Sequence, residues 1–132
     1  MKSERILSVV VPVYNEKGTV LKIIEKVLRL DFVKEVIVVD DGSTDGTKEL
    51  LQKTVFDGRV RTFFHDRNRG KGAALRTGFG HVTGEIVTIQ DADLEYDPGE
   101  FVEMSKPIIE GVADVVYGSR LSGGKPQRVH LF

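Results

Sequence analysis

Cysteine is absent from these 132 residues, which excludes disulfides and thiolate metal sites and suits a reducing, cytoplasmic setting. Long apolar runs are absent too: the longest are strand-sized, far short of the roughly 20 residues that a membrane-spanning helix needs. Charge of one sign is lacking, since 19 Lys and Arg oppose 20 Asp and Glu for a formal net charge of −1. With no basic face evident, nucleic acid is not an expected partner. Met1–Arg5 carries some charge, but only Ile6–Val11 follows before Pro12, which does not make a signal peptide. Internal repeats and low-complexity segments are missing as well. The length is that of one domain, large enough for a core and small for an enzyme.

What is present is organised around the stretch Ile86-Val87-Thr88-Ile89-Gln90-Asp91-Ala92-Asp93-Leu94-Glu95. A β-branched run, the mark of a buried parallel strand, ends in acidic residues at alternate positions. Asp91, Asp93 and Glu95 share one side if the chain stays extended. Their mutual repulsion calls for a positive partner, and a hard divalent cation with positions open for substrate phosphates suits it. Taken alone, the stretch reads equally well as an acidic loop after a strand.

The rest of the chain bears on that choice. Ile6–Val11 reads as a first strand whose ladder Pro12 stops, and Asn15 as the cap of a helix carrying the apolar stripe Val20, Ile23, Ile24, Val27, Leu28. Val36–Val39 reads as a second strand. Asp40–Gly46 then makes a turn and a cap for a short helix through about Gln52. Val60–Phe64 is a third strand, and Asn68–Gly72 opens a helix with the stripe Leu75, Gly78, Phe79, Val82. A fourth strand runs into the acidic cluster, after which Asp97, Pro98 and Glu100 start a further helix that Pro107 breaks or kinks. Ala113–Tyr117 is a fifth strand, and Leu121–Phe132 shows no regular pattern. The alternation predicts an α/β fold: an open, mainly parallel twisted sheet with helices on both faces. Ligands of such sheets bind beyond the carboxyl ends of the strands, where strand order reverses. Pro12–Glu16, Asp40–Ser43, Asp91–Glu95 and Gly118–Arg120 all follow strand ends, so they collect on one edge and favour a site.

Within it, Tyr14 can lie along a nucleobase and Glu16 can accept from ribose or base. Asp40 and Asp41 stand at a second strand end, expected beside the first; there Asp41 suits a functional role, as the acidic residue of dinucleotide folds does, and Asp40 a partly structural one. Gly70-Lys71-Gly72 at a helix start offers free N–H groups and a cation, without P-loop spacing; glycines for close packing and a solvated lysine are the plainer reading. Arg120 suits bidentate phosphate contact. His65, His81 and His130 have no ligand spacing and read as structural or exposed.

Together Val11–Glu16, Val38–Thr47, Asn68–Gly72 and Asp91-Ala92-Asp93 resemble the family 2 inverting glycosyltransferases of GT-A fold. The match is nearest to their polyprenyl (dolichyl) phosphate mannose or glucose synthase branch, of which Val115–Arg120 is typical. The resemblance runs from Ile6 to Arg120. It implies that Pro12, Tyr14, Glu16, Val39 and Asp41 hold the nucleoside of a GDP- or UDP-linked sugar. It implies that Asp91, Ala92 and Asp93 meet the diphosphate and its Mg2+ or Mn2+, with Glu95 as a third metal ligand where related synthases often carry glutamine. Asp93 and Arg120 would be catalytic, Arg120 touching the donor's phosphate or sugar and Lys71 assisting in binding. The acceptor implied is a lipid phosphate, or a glycan whose hydroxyl would need a general base.

Members of the family continue past this point with an acceptor-binding half, many with membrane helices. The expectation is therefore a nucleotide-sugar domain over residues 1–120 with its acceptor half missing, an irregular tail over 121–132, and poor transfer by this chain alone. Lys125, Arg128, Leu131 and Phe132 suggest an approach to a membrane surface. A donor-binding module without turnover follows from the same resemblance. A phosphorylation-switched receiver is disfavoured, because its acidic pair follows strand one and its phosphorylated aspartate strand three.

Overall fold

The computed structural model describes residues 5–92 and the backbone of 128–131. Its elements run β1 (Leu7–Val13), α1 (Val20–Leu28), β2 (Val33–Asp40), α2 (Thr47–Lys53), β3 (Val60–Phe64), α3 (Lys71–Phe79), β4 (Ile86–Ile89) and β5 (Arg128–Leu131). The strands form one sheet in the order β3-β2-β1-β4-β5, and every pairing in it is parallel. The chain builds outward from β1 through β2 to β3, then crosses to the other side of β1 for β4. The reversal of strand order lies between β1 and β4. A receiver domain places its strands as 2-1-3-4-5, so the topology separates this chain from that class.

β-branched residues on both faces of β1 and β2 account for their central places. Side chains alternate across a strand, and two core layers follow. Val9, Val11, Val13, Val36 and Val38 pack with the α1 stripe Val20, Ile23, Ile24, Val27 and with Leu51 of α2. Val10, Ile37, Val39, Val87 and Ile89 pack on the other face with Ala74 and Phe79 of α3. The expected helices on both faces are present. In α3 the buried residues are Ala74, Gly78 and Phe79, while Leu75, and Val82 just beyond the helix, are only partly covered. Gly78 brings α3 close to the sheet: a Cβ there would stand 2.5 Å from Val10 Cγ1.

Three expectations are corrected. Pro12 does not end β1, whose ladder with β2 continues to Pro12↔Val39 and Val13↔Asp40. The reason lies in which way each residue turns. Val13 O accepts from Asp41 N, and Val10 O accepts from Gln90 N. Odd residues of β1 thus bond β2 and even ones β4, so the missing N–H of Pro12 costs only the β4 side, where the ladder stops at Val10↔Ile89. Second, β2 is longer than the expected Val36–Val39, running Val33–Asp40, and its end lies beside that of β1 as expected. Third, Leu121–Phe132 is not wholly irregular: Arg128–Leu131 pairs parallel with β4. Four residues of mixed polarity carry too short a period to be recognised alone. The predicted helix after Asp97 and the strand Ala113–Tyr117 lie outside the described residues.

At the amino end of the strands a buried carboxylate closes the sheet. Glu35 Oε2 accepts from Ser8 Oγ (2.6 Å), Thr83 N (2.5 Å) and Thr83 Oγ1 (2.9 Å), and Oε1 from Arg61 (2.9 Å). Ser8 Oγ in turn accepts from Gly84 N at 2.8 Å. Burial pushes the Glu35 carboxyl up, but the bonds from Ser8, Thr83 and Arg61 together outweigh it and hold it below its ordinary 4.5.

Candidate active site

At the carboxyl end of the strands, the point where strand order reverses is a cleft of about 390 Å³, a size ordinary for a small-molecule site. The end of β1 supplies Pro12 and Val13, and the following loop Tyr14 and Glu16; the end of β2 supplies Asp41. Asn68, Gly70, Lys71 and Ala74 come from the entry and first turn of α3, and Asp91 and Ala92 from the end of β4. Of the residues singled out in the sequence, Pro12, Tyr14, Glu16, Asp41, Lys71, Asp91 and Ala92 are therefore brought together. Val39 is not: its side chain is fully buried in the α3-side core. Asp93, Glu95 and Arg120 lie outside the described residues.

Asp41 is the best-anchored acid of the cleft. Oδ1 accepts from Arg69 N (2.9 Å) and lies 2.8 Å from His65 Nδ1, while Oδ2 accepts from Gly70 N (2.9 Å). An ionised carboxylate only accepts, so His65 presents Nδ1–H to it; Nε2 lies 2.8 Å from Thr77 Oγ1 on α3. With one bond on Oδ2, Asp41 keeps acceptor capacity toward the cleft. Its neighbour Asp40 is fully buried and accepts from Ser43 N through Oδ2 at 3.1 Å, which fits the structural role expected of it. His65, read as structural or exposed, is structural and sits directly behind the site.

The loops bind one another tightly. Gly42 adopts φ +74°, and a Cβ there would stand 2.3 Å from the Arg67 carbonyl carbon; only glycine allows both the conformation and the approach. Asn15, at φ 53°, is not the cap of α1. Its N–H donates to Ser43 Oγ (2.9 Å) and its Oδ1 accepts from Thr44 N (2.7 Å), tying the loop after β1 to the loop after β2. The residue before α1 is Thr19, whose hydroxyl makes no capping bond to the helix. It donates instead to the Ala92 carbonyl, with Glu16 Oε2 3.2 Å away. The β4 end is thereby latched to the start of α1.

On the far wall, Lys71 Nζ donates to Asp91 Oδ1 at 2.7 Å, the two side chains being 58% and 23% exposed. The plainer reading of Gly70-Lys71-Gly72 holds only in part: the lysine is largely exposed, but close packing does not explain the glycines. The lysine is paired, and no atom would contact a Cβ on Gly70, whose φ of +96° explains the residue instead. Tyr14 is 45% exposed and presents an aromatic face at the mouth. Sequence reasoning overlooked Thr19 and the support that His65 and Thr77 give Asp41. Their partners are 12 to 73 residues away in the chain, and no local pattern marks them.

No group of three or more His, Cys, Asp or Glu able to hold a metal occurs among the described residues. Asp91 nevertheless has the right chemistry for one: a hard oxygen donor, partly exposed in the cleft, already carrying a cation. Mg2+ and its like commonly bind through one or two carboxylates plus substrate phosphates.

The chain is similar to known proteins in sequence and fold. The chain is 35% identical over 116 residues to an undecaprenyl-phosphate 4-deoxy-4-formamido-L-arabinose transferase of Salmonella choleraesuis, covering 83% of this chain and 35% of that protein. It thus spans about a third of the length of the curated relatives it matches. Among solved structures, a mannosyltransferase of Pyrobaculum calidifontis in complex with GDP-Man and Mn2+ aligns at 36% identity and TM-score 0.61, over 69% of this chain and 28% of that one. Glucosyl-3-phosphoglycerate synthase of Mycobacterium tuberculosis in complex with UDP aligns at 29% identity and TM-score 0.68, over 85% and 43%. The sequence profile described as Glycosyl transferase family 2 matches residues 8–129, nearly the whole chain, and this chain belongs to that family.

Proposed function

We propose that the cleft holds the donor of a glycosyl transfer: a nucleoside diphosphate sugar, GDP- or UDP-linked, whose sugar passes with inversion to a polyprenyl phosphate. The observation that carries the reading is the convergence of Tyr14, Glu16, Asp41, Lys71 and Asp91 on one cleft where strand order reverses. Tyr14 offers a face for the base. Asp41, fixed by His65 and two backbone N–H groups, accepts from base or ribose. Gly70, Lys71 and Ala74 put the positive end of α3 and an ammonium beside the diphosphate, and Asp91 with Asp93 and Glu95 would hold Mg2+ or Mn2+. When bound, such a cation neutralises the charge that develops on the departing diphosphate. Arg120 is assigned to the donor's phosphate or sugar. A phosphate acceptor is anionic near neutral pH and needs little help from a base. The relatives named for undecaprenyl phosphate and for GDP-Man with Mn2+ support the acceptor and donor classes. No helix among the described residues is long and apolar enough to cross a membrane; a lipid acceptor would be met at the membrane surface, from the cytoplasmic side.

Calorimetry with GDP, UDP, ADP and CDP, each with Mn2+ or with chelator, tests this. GDP or UDP should bind best, and tighter with metal. Asp91→Asn should abolish most of the metal dependence, whereas Asp41→Asn should weaken binding about tenfold or more with or without metal, the loss of one charge-assisted bond. Equal affinity for the best nucleotide with and without metal, in the unsubstituted chain, would overturn the assignment.

A further inference from the structure

Lys71 and Asp91 form an ion pair on the far wall of the cleft, one at the start of α3 and the other at the end of β4. We infer that Lys71 is a placeholder cation: it occupies Asp91 until a diphosphate draws it away, and so makes metal and nucleotide binding conditional on each other. The inference rests on the donor-site reading above and adds the order in which the site fills.

Two facts define the problem. Lys71 Nζ stands 2.7 Å from Asp91 Oδ1, so the oxygen a divalent ion would seek already has a positive partner. A metal arriving alone meets that ammonium at a few ångströms, and the like charges repel. Metal binding must first break the Lys71–Asp91 pair and send Lys71 toward solvent. A nucleoside diphosphate changes the balance, because its oxygens take the ammonium while its other oxygens complete the coordination of the metal.

The geometry allows the exchange. Lys71 is the first residue of α3; its side chain is more than half exposed and Asp91 about a quarter, so the pair is weak enough to open. The flexible four-carbon stem lets the head swing without moving the helix. Asp91 itself is kept in place by its neighbour, since the Ala92 carbonyl is latched to Thr19. One partner is fixed and the other is mobile, which is what a displaceable counter-ion requires.

The consequence is a reciprocal coupling. Removing the ammonium should tighten metal binding in the absence of nucleotide and loosen nucleotide binding in its presence, effects of opposite sign from one substitution. Mn2+ affinity without nucleotide is read by electron paramagnetic resonance of the free ion. UDP and GDP affinities are read by calorimetry with Mn2+ and with chelator. For Lys71→Met, Mn2+ alone should bind about three- to tenfold more tightly, the better nucleotide should bind more weakly, and the ratio of nucleotide affinities with and without Mn2+ should shrink. Lys71→Arg keeps the charge and should retain most of that ratio; far-ultraviolet circular dichroism checks that both variants fold. A Lys71→Met chain that binds Mn2+ alone no better than the original, while nucleotide affinity falls, would reduce Lys71 to a phosphate contact and overturn the inference alone. If Mn2+ fails to improve either nucleotide's binding in the original chain, the donor-site reading falls and this inference with it.

Discussion

The two ends of the sheet each bury a carboxylate, and they use it differently. At the amino end Glu35 is enclosed by Ser8, Thr83 and Arg61, and both of its oxygens are taken by neighbours that belong to the same local corner. At the carboxyl end Asp41 is held by His65 and by the N–H groups of Arg69 and Gly70, all from the segment leading into α3, and it still borders a cleft. Glu35 joins parts of the sheet to one another. Asp41 joins the sheet to a loop, and the loop carries the lysine that faces Asp91. A buried acid is therefore a poor marker of function by itself; what separates the two is whether acceptor capacity remains toward open space.

The largest expected effect tests the loop side of that contrast. Gly42→Ala forces a left-handed residue, costing about 1–2 kcal/mol, and drives a Cβ into the Arg67 backbone, costing about 1–3 more. Urea unfolding should show the loss, and nucleotide affinity should fall with it because the Asp41 donors shift. A folded, fully stable Gly42→Ala chain would mean the loops are not locked together as described.

Next comes Glu35→Ala, which leaves Thr83 N–H and Ser8 without their acceptor and should cost about 2–4 kcal/mol. Unlike the glycine change, it should leave nucleotide affinity of the folded fraction unaltered. Coupling between the two ends would appear as a changed dissociation constant. The same residue sets a pH signature. Its carboxyl is held below 4.5 in the folded chain, so its contribution is complete above that value and is lost as pH falls through the lowered folded value. Urea midpoints between pH 7 and pH 3 should drop more steeply for the original chain than for Glu35→Gln.

The smallest effect concerns the latch. Thr19→Val removes the hydroxyl that reaches the Ala92 carbonyl, worth about 1 kcal/mol. Hydrogen exchange should quicken around Gln90–Ala92 while the amino-end corner keeps its protection; uniform quickening would show that the latch holds the whole sheet and not one end.

Much of the fold was legible because its strands are β-branched runs with strong local signals. Val60–Phe64 is observed with the bounds the pattern predicts, and Ile86–Ile89 falls within the predicted run into the acidic cluster. β5 was hidden because Arg-Val-His-Leu has neither a continuous apolar run nor enough length for a period. In the site, motif residues were recognisable by type, and seven of them meet in the cleft. Asn15 was misread since a side-chain amide before a helix suits a cap as well as a loop bridge, and only the fold decides that Thr44, 29 residues on, is its partner. Val39 shows a different limit: a place in a motif says nothing of which face a strand residue's side chain turns, and here that face is the core.

Pro12 carries one more consequence, for where β4 can sit. Parallel strands can slide past each other in steps of two residues without exchanging faces, and the run Ile86–Ile89 is short and uniform enough to try. The next rung of the β1–β4 ladder beyond Val10↔Ile89 would require an N–H from residue 12, and proline has none. The ring therefore acts as an end stop. It penalises every register that would extend the pairing toward the carboxyl end, and it keeps Asp91 at the mouth of a crevice that a more accommodating residue would invite the sheet to zip shut.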